Sequence, residues 1–129
     1  MRIVVCDDDP DVGGFLQATF ELENWTASLV DSGEALLAAI DWAEPPDAIV
    51  LDQRMPGLSG VETAALLRGR GFSRPIILCS GHLAGLTEDI EQLELVPVNK
   101  VDLDAVVRIV RAAIRQSRRP ARRAEPSAG

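Results

Sequence analysis

The chain has 129 residues and a formal net charge of −7, which is enough for one domain with a sizeable core. No apolar run approaches the roughly 20 residues of a membrane-spanning helix, and a first strand is expected directly at the amino terminus, without a signal peptide. Residues 115–129 hold five arginines and one glutamate, a net charge of +4, so the remaining residues carry −11. An acidic body argues against nucleic-acid binding.

Two cysteines inside predicted apolar strands favour a reduced cytoplasmic protein over a disulfide scaffold.

Five apolar segments are predicted to form strands. They lie at Ile3–Cys6, Thr26–Val30, Ala48–Leu51, Ile76–Cys79 and Val96–Val98. Three are dense in Ile, Val and Leu without polar alternation, which is typical of strands covered by helices on both faces. The second is more mixed, and Pro97 in the fifth cannot donate a hydrogen bond to a neighbouring strand. Both are therefore expected near sheet edges.

Five helices are predicted to alternate with the strands. They begin near Pro10, Glu34, Gly60, Thr87 and Asp102, and the second, third and fourth end near Trp42, Arg68 and Leu95. Asp9 is the expected N-cap of the first helix, and Asp31 and Ser59 are expected to open capping boxes at the second and third. From residue 117 onward the sequence has no periodicity, so 117–129 are predicted to be a disordered basic tail after a domain of residues 1–116.

This alternation predicts a doubly wound α/β fold, with a five-stranded parallel sheet and helices on both faces. The carboxyl ends of all five strands then share one rim, where open α/β sheets bind ligands. The chemically active residues that follow the strands are Asp7, Asp8, Asp9, Asp52, Ser80 and Lys100. The sequence therefore predicts a crevice with several carboxylates, one hydroxyl and one ammonium.

The charge in this crevice needs a partner. Two carboxylates about 4 Å apart repel by about 4 kcal/mol at an effective dielectric constant of 20, and one lysine cannot neutralise three of them. Oxygen ligands without His or Cys favour Mg²⁺, and Mn²⁺ suits the same ligands. With a metal present, Asp52 is the expected nucleophile for phosphoryl transfer, with Asp7 and Asp8 as metal ligands. Lys100 is the expected counter-ion and Ser80 the phosphoryl contact.

Over residues 1–116 the sequence resembles the receiver domains of two-component response regulators. The resemblance rests on the acidic cluster after the first strand, D-x-x-M-P-x-x-x-G after the third, Ser80-Gly81 after the fourth and Lys100 after the fifth. It implies a flavodoxin-like sheet with strand order 2-1-3-4-5. The site residues of the family fall on Asp52 (phosphoacceptor), Asp7 and Asp8 (acidic pair), Ser80 (switch hydroxyl), Lys100 (lysine) and Arg54 (backbone carbonyl that completes the metal shell).

The resemblance also implies a function and partners. The domain would take a phosphoryl group from a sensor histidine kinase or a histidine phosphotransfer protein, and it would assist its own phosphorylation and dephosphorylation without turning over an external substrate. We expect a stand-alone receiver whose output passes to a downstream protein target, with no membrane partner and with nucleic-acid binding disfavoured. The Arg54 side chain is hypothesised to lie beside the phosphoryl group and to tune its hydrolysis.

Two departures from the family pattern leave alternatives open. Val101 replaces the proline that usually follows the lysine through a cis bond, so a trans bond is expected and the direction of the Lys100 side chain is left open. Pro97 replaces the aromatic switch residue. A degenerate receiver that acts as an unphosphorylated binding module is therefore one alternative. Independently of these departures, a small Mg²⁺-dependent aspartyl phosphatase is a second alternative, with Asp7 as nucleophile, Asp9 as acid, and Ser80 and Lys100 as phosphate contacts.

Overall fold

A computed structural model describes residues 1–118, which form a five-stranded parallel sheet in the order β2-β1-β3-β4-β5. The strands are β1 (Arg2–Cys6), β2 (Thr26–Val30), β3 (Ala48–Asp52), β4 (Ile76–Ser80) and β5 (Leu95–Asn99). The helices are α1 (Pro10–Glu21), α2 (Gly33–Ala39), α3 (Gly60–Gly69), α4 (Thr87–Gln92) and α5 (Val106–Ser117), and a 3₁₀ segment (Lys100–Ala105) precedes α5. The predicted flavodoxin-like fold and its strand order are confirmed. No helix within residues 1–118 combines the length and the apolar character that crossing a membrane requires.

Two apolar clusters cover the two faces of the sheet. One packs α1 and α5 on the sheet through residues such as Phe20 and Val110, and the other packs α2 and α3 through Leu36 and Leu67. Every residue of β3 and β4 is buried, as the dense apolar runs predict. Each fully buried large aliphatic side chain contributes roughly 1.5–3 kcal/mol to folding, so the sheet is held most firmly at its centre.

The two cysteines lie on opposite faces of this core. Cys6 belongs to the cluster under α2 and α3, and Cys79 to the cluster under α1 and α5. Burial is the main cause that raises the pKa of the Cys6 thiol to about 12 and that of Cys79 to about 11. Both thiols therefore stay protonated and act as small core residues, as expected.

The edges of the sheet are β2 and β5, as the sequence predicts. Pro97 is exposed on β5, where its missing N–H costs no ladder hydrogen bond. The three central strands, β1, β3 and β4, therefore form the middle of the rim at the carboxyl ends of the strands, and β5 contributes residues from one side.

Helix α2 is shorter than predicted. It ends at Ala39 and not near Trp42, because the Asp41 side chain accepts hydrogen bonds from the backbone N–H of Ala43 and Glu44 and stabilises a turn there. Its N-cap is Ser32, not Asp31: the Ser32 hydroxyl accepts from the backbone N–H of Ala35 at 3.0 Å. The capping box predicted for this helix is therefore wrong.

The last two helices also depart from the prediction. Helix α4 stops at Gln92, because Glu94 takes a left-handed conformation with φ of 54° that turns the chain into β5. The helical region after β5 begins with the 3₁₀ segment, in which Asp102 is non-helical, and α5 starts only at Val106. Ser117, the first residue of the predicted tail, is the last residue of α5, and the Arg118 guanidinium contacts Asp47. The rest of the predicted tail, 119–129, lies outside the described residues.

At the amino-end rim of the sheet, arginines hold backbone carbonyls in place. The half-buried Arg68 guanidinium donates to four carbonyl oxygens: Leu93 at 2.9 Å and Glu94 at 3.1 Å on one side, Phe72 at 2.9 Å and Arg74 at 2.7 Å on the other. Arg68 therefore joins the α3–β4 turn to the α4–β5 turn.

Asp47 is the centre of a second arginine cluster at the same rim. Its carboxylate accepts from the backbone N–H of Arg2 and from the Arg118 guanidinium, both at 2.7 Å, and Arg74 lies 3.8 Å away. Burial alone would raise the pKa of Asp47, but these donors outweigh it and hold the pKa below its ordinary value. The end of α5 is thus tied to the beginning of the sheet.

Candidate functional site

The site is built where β1 and β3 end side by side. These strands are paired with Cys6 opposite Leu51, so Asp7 and Asp52 follow at neighbouring positions on the rim. Both are buried, with 3% and 5% exposure, whereas Asp8 is exposed. The backbone N–H of Asp7 continues the ladder by donating to Val30. The adjacent strands therefore bring the carboxylates together, as predicted.

The three carboxylates of Asp7, Asp8 and Asp52 offer oxygen atoms that all lie within 4.8 Å of one another. Asp9, the fourth acidic residue nearby, has a different role. Its carboxylate accepts from the backbone N–H of Asp11 at 2.9 Å and caps α1, as predicted. Asp9 therefore does not join the cluster.

Lys100 enters the crevice from the end of β5. Its ammonium lies 3.0 Å from Asp52 Oδ1 and 3.2 Å from Asp7 Oδ2. The peptide bond after Lys100 is trans, as expected without proline, since residues 1–118 contain no cis bond. The Asn99 side chain accepts from the backbone N–H of Val101 at 3.1 Å and holds the turn. The missing proline does not re-aim the lysine.

The electrostatics of the crevice are not balanced. Burial raises the pKa of Asp52, and repulsion from Asp7 and Asp8 adds to this effect, while the hydrogen bond from Lys100 opposes it. Burial would lower the pKa of Lys100, but the carboxylates of Asp52 and Asp7 outweigh burial and raise it. One ammonium thus faces three carboxylates, and this surplus of negative charge favours binding of a cation.

Ser80 and Arg54 complete the crevice. Ser80 is the last residue of β4 and is buried, and its hydroxyl accepts from the backbone N–H of His82 at 3.0 Å. Arg54 is exposed in the loop after β3. The crevice that they line is open and has a volume of about 370 Å³. Its lining contains all six residues that the family resemblance assigns to the site, together with Asp9, Gly81 and His82.

The loop between β3 and α3 contains a residue that the sequence analysis missed. Gln53 accepts two hydrogen bonds from the start of α3: its backbone oxygen from Gly60 N–H and its side-chain Oε1 from Val61 N–H, both at 2.9 Å. The predicted capping box of Ser59 and Glu62 is present beside it. The only indication in the sequence that Gln53 could contribute to the site is its position directly after Asp52.

A parallel sheet of this order with a buried strand-end aspartate, an acidic pair and a lysine at one rim is the arrangement that the sequence resemblance implies for a receiver domain. Comparison with known proteins gives the family. The family model described as "Response regulator receiver domain" matches residues 3–95. The chain belongs to the response regulator receiver family. Lys100 lies beyond the matched residues, so its place in the crevice rests on the geometry alone.

Related proteins agree with this assignment. The transcriptional regulatory protein TcrA of Mycobacterium tuberculosis is 30% identical over 114 residues, which cover 84% of this chain and 45% of TcrA. The transcriptional regulatory protein PrrA of Mycobacterium bovis is 40% identical over 80 residues, which cover 61% of this chain and 34% of PrrA. The chain thus spans less than half the length of these relatives.

Solved structures support the fold. A receiver domain of a Francisella response regulator superposes with a TM-score of 0.78 at 23% identity, covering 91% of this chain and 98% of that domain. The response regulator TrrA of Thermotoga maritima, solved in complex with Mg²⁺ and BeF, gives a TM-score of 0.75 at 24% identity, covering 87% of this chain and 97% of TrrA.

Proposed function

We propose that the chain is a phosphoacceptor switch that takes a phosphoryl group on Asp52. The observation that carries this proposal is the buried Asp52 carboxylate, held 3.0 Å from Lys100 and grouped with Asp7 and Asp8. A carboxylate oxygen of Asp52 attacks phosphorus, the bond from phosphorus to the donor imidazole nitrogen breaks, and the imidazole keeps the electron pair and takes up a proton. The donor is the phosphohistidine of a sensor histidine kinase or of a histidine phosphotransfer protein.

The donor set fits a hard divalent cation. The cluster offers only oxygen ligands, it carries more negative charge than Lys100 can neutralise, and the crevice is open to solvent on the side of Asp8. Carboxylates of this kind suit Mg²⁺, or Mn²⁺ in its place. Asp7, Asp8, Asp52 and the backbone carbonyl of Arg54 would hold the ion, which when bound neutralises charge on the transferred phosphoryl oxygens.

The protein groups then have distinct roles. Lys100 balances charge that moves from Asp52 to the phosphoryl group. The Ser80 hydroxyl oxygen already accepts a hydrogen bond from His82, so its proton is free to donate to a phosphoryl oxygen. With these groups in place the domain assists its own phosphorylation and the later hydrolysis of the acyl phosphate on Asp52. It turns over no external substrate. Its output passes to a downstream protein target, and its proposed location is the cytoplasm.

The direct test is intact-mass analysis after incubation with a small-molecule phosphodonor and Mg²⁺. We expect the wild type to gain the mass of one phosphoryl group, and we expect Asp52→Asn to gain none, because its amide cannot form the acyl phosphate. Omission of Mg²⁺ should slow the gain. Equal mass gain in Asp52→Asn and wild type would overturn the assignment of the phosphoacceptor.

The degenerate receiver remains the second candidate, because Pro97 and Val101 depart from the family pattern. It predicts that beryllofluoride with Mg²⁺ leaves the amide NMR spectrum of the chain unchanged, whereas the phosphoacceptor proposal predicts shifts around Asp52 and Ser80. The phosphatase alternative finds less support, since Asp9, its proposed acid, caps α1. It predicts turnover of a general phosphatase substrate that survives Asp52→Asn and not Asp7→Asn.

Arg54 offers a prediction about phosphoryl lifetime. Its side chain is exposed at the mouth of the crevice, where a guanidinium can contact the phosphoryl group and alter the approach of water. We expect Arg54→Ala to change the hydrolysis rate of phosphorylated protein about 2–10-fold, the effect of one charge-assisted hydrogen bond. The measurement is the decay of the phosphorylated mass with time, and an unchanged decay would rule the role out.

A further inference from the structure

We propose that Gln53 is a positioning residue for the acidic crevice: it closes the β3–α3 loop (residues 54–59) on itself and thereby fixes the backbone carbonyl of Arg54 for metal binding. This inference rests on the proposed function, because it concerns the same cation. It adds a residue whose side chain is outside the set that lines the crevice.

The closure is formed by two hydrogen bonds to a single residue. Gln53 leaves β3 directly after Asp52, and its backbone oxygen accepts from Gly60 N–H while its Oε1 accepts from Val61 N–H, each at 2.9 Å. Gly60 and Val61 are the first two residues of α3, whose N–H groups have no partner inside the helix. The two ends of the loop are therefore joined through Gln53.

The remaining donors at the start of α3 have partners of their own. The Ser59 hydroxyl accepts from Glu62 N–H at 3.1 Å, and the Ser59 carbonyl accepts from Thr63 N–H at 2.9 Å. The capping box therefore stabilises the helix by itself, without any link to the sheet. Gln53 supplies that link through its backbone oxygen, which accepts from Gly60 N–H, and its side chain adds a second bond, to Val61 N–H.

The close approach of α3 to β3 supports a fixed arrangement. A Cβ atom at Gly60 would overlap the carbonyl oxygen of Asp52 and lie 2.8 Å from the Cα of Gln53. Only glycine fits at this contact. The start of α3 thus contacts the backbone of Asp52, and the side-chain amide of Gln53 helps to hold the helix start in this position.

The loop has one other anchor beside the Arg54 carbonyl. Met55 packs against the apolar cluster under α2 and α3, and its sulfur accepts from the Cys6 thiol at 3.7 Å. Arg54, Pro56 and Gly57 are exposed, so the Arg54 carbonyl lies between two held residues, Gln53 on one side and Met55 on the other. This carbonyl is one peptide unit from Gln53, and its direction depends on how the loop leaves β3. If the Gln53 side chain loses its bond to Val61, the carbonyl can turn away from the carboxylates and the site loses one oxygen ligand.

The test compares Mg²⁺ affinity of the full chain by isothermal titration calorimetry, together with deuterium exchange of the Val61 amide. Gln53→Met keeps the length of the side chain and removes the acceptor, and we expect about fivefold or greater weakening of Mg²⁺ binding and faster exchange at Val61. Gln53→Glu keeps an acceptor oxygen, so Val61 exchange should return to the wild-type rate and the affinity should not fall below wild type.

Ser32→Ala is the matched control, because it also removes one side-chain hydrogen bond from a helix N-terminus, that of α2. Its Mg²⁺ affinity should equal that of wild type. Wild-type affinity in Gln53→Met would overturn the positioning role, whereas a wild type that does not bind Mg²⁺ would overturn the proposed function as well. If Gln53→Met does not fold, Gln53→Ala takes its place, and the same two outcomes decide.

Discussion

At the carboxyl-end rim of the sheet, three carboxylates share the single ammonium of Lys100. At the amino-end rim, by contrast, arginine guanidinium groups donate hydrogen bonds to carbonyl and carboxylate oxygens. At the first rim, burial raises the pKa of Asp52. At the second, hydrogen bonds hold the pKa of Asp47 below its ordinary value. The same sheet thus carries an acid that destabilises the fold when ionised and an acid that stabilises it.

This difference separates function from stability. Charged groups at the amino-end rim have their partners within the chain, so their bonds contribute to folding. The carboxylates at the other rim leave negative charge for a ligand to neutralise, and folded proteins keep such unbalanced groups mainly at functional sites. Variants at the two rims should therefore move stability in opposite directions.

The largest effect is expected for Arg68→Met. It removes all four hydrogen bonds from the guanidinium to backbone carbonyls and leaves those carbonyls without their donor. We expect the free energy of unfolding to fall by about 3 kcal/mol, measured by urea denaturation.

Arg70→Met, an exposed arginine at the same helix end, is the control and should change stability by less than about 0.5 kcal/mol. Mg²⁺ affinity should stay at the wild-type value in both variants. Loss of Mg²⁺ binding in folded Arg68→Met would contradict the separation of the two rims.

An increase in stability is expected for Asp52→Asn without metal. Because its pKa is raised in the folded state, the ionised carboxylate costs stability above the unfolded pKa of about 3.9, and this cost is absent below it. The variant should be more stable than wild type near pH 7, and the gain should shrink as the pH falls towards 4. Chemical denaturation in EDTA at several pH values measures it; a loss of stability at pH 7 would show that Lys100 dominates.

A smaller change of the opposite sign is expected for Asp47→Asn. The lowered pKa of Asp47 means that its carboxylate contributes stability above the unfolded pKa of about 3.9, and that this contribution is lost as the pH falls through the lower folded pKa. Since Arg118 and Arg74 lie at the surface, we expect a loss of only about 0.5–1 kcal/mol at pH 7. The difference from wild type should vanish in acid. If the stability difference between Asp47→Asn and wild type is instead the same at every pH, the loss arises from packing and not from the charge of Asp47.

The sequence predicts the sheet and the site well because both depend on strand ends. Dense apolar runs locate the central strands, and a polar residue directly after such a run must lie at the rim. Asp7, Asp52 and Ser80 follow from this rule, and Lys100 follows from the order of the strands. Their convergence needs no side-chain detail, because parallel pairing sets it.

The misplaced helix ends depend on local geometry that periodicity does not contain. Asp41 ends α2 by bonding its own turn, and Glu94 ends α4 by adopting a left-handed conformation that few residues other than glycine take. The role of Gln53 is not predicted for a similar reason. A glutamine after a strand is common, and the sequence does not show that the start of α3 folds back to bond with it.

The complete burial of β3 and β4 sets where the molecule can respond. Amide groups in such strands exchange with solvent only when the entire domain opens, so Asp52 is anchored to the most rigid part of the chain. By contrast, α4 has no buried residue, and the 3₁₀ segment after β5 has none either. Within residues 1–118, these two peripheral segments are therefore held by less packing than the sheet, and they are where we expect the structure to yield first when the charge at Asp52 changes.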